Sequence, residues 1–188
     1  MTGAPVERGD TEIQRVAAVR ALRLLDTPRE DRFDRITRIA QQLLNVPMAM
    51  VTLVDLDRQW AKSCVGLPEQ DIARGSSLCS YAVASGRLLE VPDAAADPRF
   101  AHYPMVAGDQ QIRFYAGQPV AAPSGFLVGT LCVMDRVPRS LTERQRATLR
   151  DLAAWVELEY TVRQANQWEL ETERARRDFV SVVSHELR

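Results

Sequence analysis

Apolar residues recur at helical spacing towards both ends of this chain and fall into short strand-forming runs between them, and that change of period restricts the available folds most. Ile13, Val16, Val19, Leu22 and Leu25 mark an amphipathic helix over Thr11 to Leu25. Asp26-Thr27-Pro28 ends it and begins the next, with Thr27 placed to cap, Pro28 at the first helical position and Glu30 completing a capping box. Phe33, Ile36, Ala40, Leu43 and Leu44 supply the buried face of this second helix, and Pro47 stops it. Met48 to Val54 then reads as a strand, joined through a turn at Asp55 to Arg58 to a second one, Gln59 to Val65. After a loop over Gly66 to Gly75 come a short helix, Ser76 to Ser85, closed by Gly86, and a brief strand, Leu88 to Val91, cut off by Pro92. A polar connection holding Pro98 and Pro104 carries few helix or strand signals. Two more strands, Ile112 to Val120 and Phe126 to Asp135, flank a turn at Pro123-Ser124-Gly125. From Thr142, which forms a second capping box with Gln145, the pattern is helical almost to the end. The expected class is α+β: a central antiparallel sheet flanked by helices and followed by a long C-terminal helix.

The last helix carries two apolar seams. Leu149, Leu152 and Val156 form one; Trp155, Leu158, Val162 and Ala165 form a neighbour that drifts from it. Such a helix packs first on its own sheet and then on a partner helix. A parallel homodimer stem is the expectation, weakened where Glu169 to Arg177 turns almost wholly charged or polar; a solvated single helix is the alternative.

The 188 residues, 46% of them hydrophobic, suit one globular domain plus extra helix. A net charge of −1, with arginines scattered among acidic residues, argues against a nucleic-acid partner. No run approaches the roughly 20 apolar residues that cross a bilayer, and Met1 to Asp10 lacks the apolar core of a signal peptide, so a cytoplasmic chain without membrane contact is expected. The three cysteines, Cys64, Cys79 and Cys132, are too irregularly spaced for a disulfide framework or a zinc site, and reduced thiols with no metal are expected.

Several segments carry a resemblance: Leu22-Arg23-Leu24-Leu25-Asp26-Thr27-Pro28, Ser77-Leu78-Cys79-Ser80-Tyr81-Ala82, Asp93 through Asp97-Pro98-Arg99-Phe100, Ile112 to Gly117, and Gly129 to Asp135. In this order they resemble the GAF domains of bacterial signalling proteins. That resemblance implies a central antiparallel sheet, helices packed on it, and a small-ligand pocket covered by the long loops. A second segment, Asp178 to Arg188, is similar to the opening of the dimerisation and phosphoacceptor domain of sensor histidine kinases. It implies that His185 accepts a phosphoryl group, with Glu186 orienting the ring and taking its proton. An imidazole nitrogen is a nucleophile only when unprotonated, and an adjacent carboxylate serves that need. The two resemblances together divide the chain into a flexible start (1–10), a sensory domain (11–158), a helical linker (159–177) and the start of a truncated phosphoacceptor domain (178–188). They imply a response regulator as partner, and ATP with Mg only where a catalytic domain absent from these residues is present. The chain alone is expected to be inactive.

The family does not fix the ligand. A covalent bilin site pairs cysteine with a following histidine, and Cys79 is followed by Ser80. Haem needs an axial ligand, and His102, in a loop, is more readily a surface residue. The enzymatic branch of the family reduces free methionine sulfoxide with closely placed cysteines, an arrangement not evident here; it stands as the alternative function, beside a ligand-free dimerisation module. With Val128, Thr130, Cys132 and Met134 expected on one face of the last strand and Leu127, Gly129, Leu131 and Val133 on the other, Cys79, Arg113, Tyr115 and Cys132 are the candidate pocket residues for an unknown small molecule or a redox input. The cysteines serve equally as small core hydrophobes, Tyr115 as a packing aromatic, and Arg113 as an ion-pair partner of Asp97 or Asp93.

Overall fold

The structure is a computed structural model that describes the backbone of residues 8–68 and 71–186 and the side chains of residues 11–68 and 71–178. Helices α1 (Arg8–Ala21) and α2 (Asp31–Leu44) precede the hairpin β1 (Met48–Val54) and β2 (Arg58–Val65). The two-residue β3 (Ile72–Ala73) follows, then α3 (Leu78–Ser85), β4 (Leu89–Val91), α4 (Pro104–Ala107), β5 (Phe114–Ala121), β6 (Leu127–Asp135) and α5 (Glu143–Glu186). The strands form one antiparallel sheet in the order β3-β2-β1-β6-β5-β4. The α+β class expected above is the one observed. Among the described residues no helix is long and apolar enough to cross a membrane.

The sheet separates two cores because its side chains alternate. On one face Ala49, Val51, Leu53, Phe114, Leu131 and Val133 pack against α1, α2 and the first part of α5 through Val19, Leu22, Phe33, Ile36, Leu149 and Val156. On the other, Met48, Met50, Tyr115, Cys132 and Met134 meet α3 and the connection between β4 and β5 through Leu78, Cys79, Phe100, Met105 and Ile112.

Alternation fails at two bulges. On β6, Gly129 is opposite Val120 while Leu127 is opposite Ala121, which leaves Val128 as an extra residue. The expected faces therefore hold from Thr130 onwards but are exchanged before it: Val128 joins the core under the long helices and Leu127 packs on the other. On β2 the extra residue is Lys62, since Ser63 lies opposite Val51 and Ala61 opposite Thr52. The bulge turns both Lys62 and Ser63 towards α2, where Ser63 donates to Asp34 at 2.6 Å.

Lys62 is the chain's only lysine, and its side chain is wholly shielded from solvent. Its ammonium lies 2.8 Å from a Glu30 carboxylate oxygen and donates to Thr27 Oγ1 at 2.8 Å and the Pro28 carbonyl at 2.6 Å. The capping box expected at Thr27 and Glu30 does not form; α2 starts at Asp31, with Glu30 as an extended residue whose side chain makes no cap bond. A buried ammonium has no water to turn to, so it recruits these groups instead. Glu30 also accepts from Arg163 of α5 at 2.9 and 3.1 Å. The capping box expected at Thr142 and Gln145 does form: the Thr142 amide donates to Gln145 Oε1 at 2.9 Å and the Gln145 amide to Thr142 Oγ1 at 3.2 Å.

Glu30→Ala strands the Lys62 charge, whereas Lys62→Met leaves Glu30 with Arg163 and partial solvent. Breaking a buried pair costs more from the side that abandons the deeper charge. Chemical denaturation should give a loss of about 2 kcal/mol for Glu30→Ala and a clearly smaller one for Lys62→Met.

Candidate functional site

Ser77 caps α3: its hydroxyl accepts from the Ser80 amide at 2.9 Å and donates to Gln59 Oε1 at 2.5 Å. Gly86, in the left-handed region at φ 67°, closes the helix. These two ends hold Cys79 in the first turn of α3, facing the sheet. Its sulfur lies 3.7 Å from that of Cys132 on β6, at S–H···S distance, and accepts from the Tyr115 hydroxyl of β5 at 3.3 Å. Thr52 and Thr130, opposite each other on β1 and β6, join their hydroxyls at 2.9 Å beside this group. Tyr115, Cys79 and Cys132 are 1%, 1% and 0% exposed, so the cluster is sealed by protein.

Gly117 makes room for it. Tyr115 folds back along its own strand, and a Cβ on Gly117 would overlap the Tyr115 hydroxyl and come within 2.6 Å of its ring carbon. A side chain there would drive the hydroxyl off the Cys79 sulfur.

The electrostatics of the two thiols diverge. Burial raises Cys79, but bonds involving Cys132, Thr130, Tyr115 and Thr52 outweigh it and bring the thiol below its ordinary range, to about 7. Cys132 is pushed well up by its bond to the Cys79 sulfur and by burial. Burial and the adjoining sulfurs likewise raise Tyr115. One sulfur thus concentrates the thiolate character of the pair, with hydroxyl donors around it.

Of the four candidate pocket residues, Cys79, Tyr115 and Cys132 come together and Arg113 does not join them. Its guanidinium donates to the Val106 and Ile112 carbonyls at 3.1 and 3.2 Å, which ties down the connection after α4. The alternative reading, an ion pair with Asp97 or Asp93, is not formed either. Asp97 is taken by Arg99 at 2.6 Å, and Asp93 accepts from the Ala95 amide at 3.1 Å. Arg99 in turn covers the Phe100 and Tyr81 rings at 4.7 and 5.4 Å, clamping the β4–β5 connection onto α3. His102 is exposed, as a loop histidine should be. Sequence reasoning missed Thr52, Thr130 and Gly117, although a threonine amid an apolar strand and a glycine two residues after an aromatic were visible signals.

The α5 backbone runs through His185 and Glu186, whose side chains lie outside the described residues. Among the described residues no group of three or more His, Cys, Asp or Glu side chains could hold a metal ion.

The family model described as GAF domain matches residues 28–160. Cyclic di-GMP phosphodiesterase PA2567 of Pseudomonas aeruginosa is 39% identical over 148 residues, 78% of this chain; the chain spans about a quarter of that relative, 25% of its length. Among solved structures, the GAF domain of an Acinetobacter phosphoenolpyruvate-protein phosphotransferase superposes with a TM-score of 0.62 at 18% identity, covering 86% of this chain and 97% of its own. Free methionine-R-sulfoxide reductase from Neisseria meningitidis gives 0.61 at 17% identity, covering 88% and 97%. At these identities the two structures speak for the fold alone.

Proposed function

The chain belongs to the GAF domain family, and from that premise we propose that it is the sensory region of a two-component sensor histidine kinase. The observation that carries this is the sequence segment Asp178 to Arg188, with His185 directly before Glu186, both on the helix that leaves the GAF domain. A small ligand or a redox change at the face bearing Cys79, Tyr115 and Cys132 controls, through α5, the phosphorylation of His185 and its relay to a response regulator. The decisive experiment supplies a kinase ATP-binding domain, in cis or in trans, with ATP and Mg, and maps the acquired phosphoryl group. Label on His185 that survives alkali and is lost in mild acid supports the reading; label elsewhere, or none, sinks it.

A second reading is favoured by the 39% identity to a cyclic di-GMP phosphodiesterase: the same sensory module serving a phosphodiesterase output. Hydrolysis of cyclic di-GMP by a longer form of the chain, with no His185 label, would establish it. A sulfoxide reductase would instead consume free methionine sulfoxide with a thiol reductant, and a pure dimerisation module would do none of these.

The working unit is a homodimer. Trp155, Leu158 and Val162 of α5 stand 41%, 57% and 41% exposed, while Leu149, Leu152 and Val156 are buried on the domain. The exposed set is the second seam of the sequence, and a parallel copy of α5 covers it. Light scattering at tens of micromolar should report a dimer for the chain and a monomer for Leu158→Glu combined with Val162→Glu.

A further inference from the structure

Cys79 and Cys132 are 53 residues apart in sequence, on a helix and a central strand, yet their sulfurs lie 3.7 Å from each other. A disulfide is about 2.05 Å long, so closing the gap takes about 1.7 Å of movement between the two sulfurs. The third cysteine, Cys64 on β2, directs its thiol to the Leu67 carbonyl at 3.5 Å. A core that needed only small apolar volume at these two positions would not ring one sulfur with tyrosine and threonine hydroxyls.

We infer that Cys79 and Cys132 are a redox-active dithiol, converted by a hydroperoxide into a reversible disulfide that ties α3 to β6. Cys79 is the attacking sulfur: its thiolate takes the terminal oxygen of hydrogen peroxide, the O–O bond breaks, and the departing hydroxide leaves as water with the thiol's proton. Cys132 then attacks the sulfenic sulfur of Cys79, forming the S–S bond and expelling a second water. Two thiols and one peroxide thus become one disulfide and two waters, and a dithiol reductant reverses the change. Burial restricts this to the smallest oxidants and makes it depend on opening of α3. That helix is only eight residues long and carries Tyr81 exposed on its outer side.

The bond would be read where β6 ends. Asp135, its last residue, holds Arg139 at 2.8 Å, and Arg139 donates its amide to the Pro92 carbonyl at 3.1 Å just before α5 begins. Glu90 of β4 holds Arg146 in the first turns of α5 at 2.8 Å. Transmission to α5 rests on the sensory reading proposed above; the bond itself does not.

The reduced chain is treated with a small excess of hydrogen peroxide, alkylated under denaturing conditions and mapped by mass spectrometry. The expected result is a fall from three free thiols to one, Cys64, with a peptide joining Cys79 to Cys132 two hydrogens lighter than its parts, and recovery of all three thiols with dithiothreitol. Cys64→Ser should retain the link, and Cys79→Ser should abolish it; if the latter does not fold, the map of the unaltered chain decides alone. Three alkylatable thiols after peroxide, a link through Cys64, or Cys79 carried to sulfinic acid without a link overturns the proposal. A link that forms while His185 labelling is unchanged keeps the dithiol and removes its connection to the kinase; absent labelling with an intact link counts against the kinase reading alone.

Discussion

If His185 is the phosphoacceptor, His185→Gln should abolish phosphoryl transfer to the chain when a kinase ATP-binding domain, ATP and Mg are supplied, and should leave the GAF fold and the proposed dimer in place. Glutamine keeps a polar side chain of good helix propensity but offers no ring nitrogen to attack phosphorus. Glu186→Gln leaves the proposed nucleophile and removes the carboxylate proposed to orient the ring and accept its proton. Loss of a general base costs about 10²–10⁴-fold, so labelling should slow by that factor and still finish on His185. His102→Gln controls for the only other histidine and should change nothing. The label must be acid-labile, because protonating the second ring nitrogen turns imidazolium into a good leaving group. Undiminished label on the His185→Gln chain, or label stable to acid, removes the phosphoacceptor from the proposal.

Gly129→Ala should lower stability by about 3 kcal/mol, or about 6–12 °C in melting temperature for a domain of this size. The cause is not glycine's freedom but the approach of two strands. A Cβ at Gly129 would land on the Thr52 carbonyl oxygen of β1 and 3.0 Å from the Leu53 Cα, where neither is the end of a side chain that could swing aside. Relief requires β1 and β6 to part in the middle of the sheet, next to the Thr52–Thr130 hydroxyl pair. Gly125→Ala is the contrasting substitution: no atom lies within 4 Å of its Cβ, and the penalty is confined to its φ of 87°. Thermal melts of the two variants separate backbone crowding from turn strain; equal losses would refute the account given for Gly129.

Where local signals and tertiary demand agree, the sequence was enough. Met48–Val54 is a strand at the expected bounds because seven consecutive apolar or β-branched residues fit only a strand buried on both faces, and all seven are buried. The two seams of α5 also separated as their spacing required. The start of α2 was misread because Lys62, distant in sequence, takes the Thr27, Pro28 and Glu30 groups that a local rule assigns to a cap. The face of β6 was misread before Thr130 because period two carries no warning of a bulge. The thiol cluster was legible as three candidates but not as a contact: strand parity gives a face, not the partner across it. Arg113 shows the limit most plainly, since a guanidinium in a long connection can find carbonyls as readily as carboxylates.

The Glu30–Arg163 contact has a mechanical side. Among the described residues Tyr160 is the last buried one of α5, and the helix continues to Glu186. Those further residues make an arm of about 39 Å at 1.5 Å each, so a tilt of about 5° at the domain would sweep its tip through about 3 Å. Arg163 sits at the root of that arm, fastened to Glu30 and to the Leu22 and Arg23 carbonyls at 3.3 and 3.0 Å. With the pivot there, the same tilt would move the helix backbone at His185 by about 3 Å.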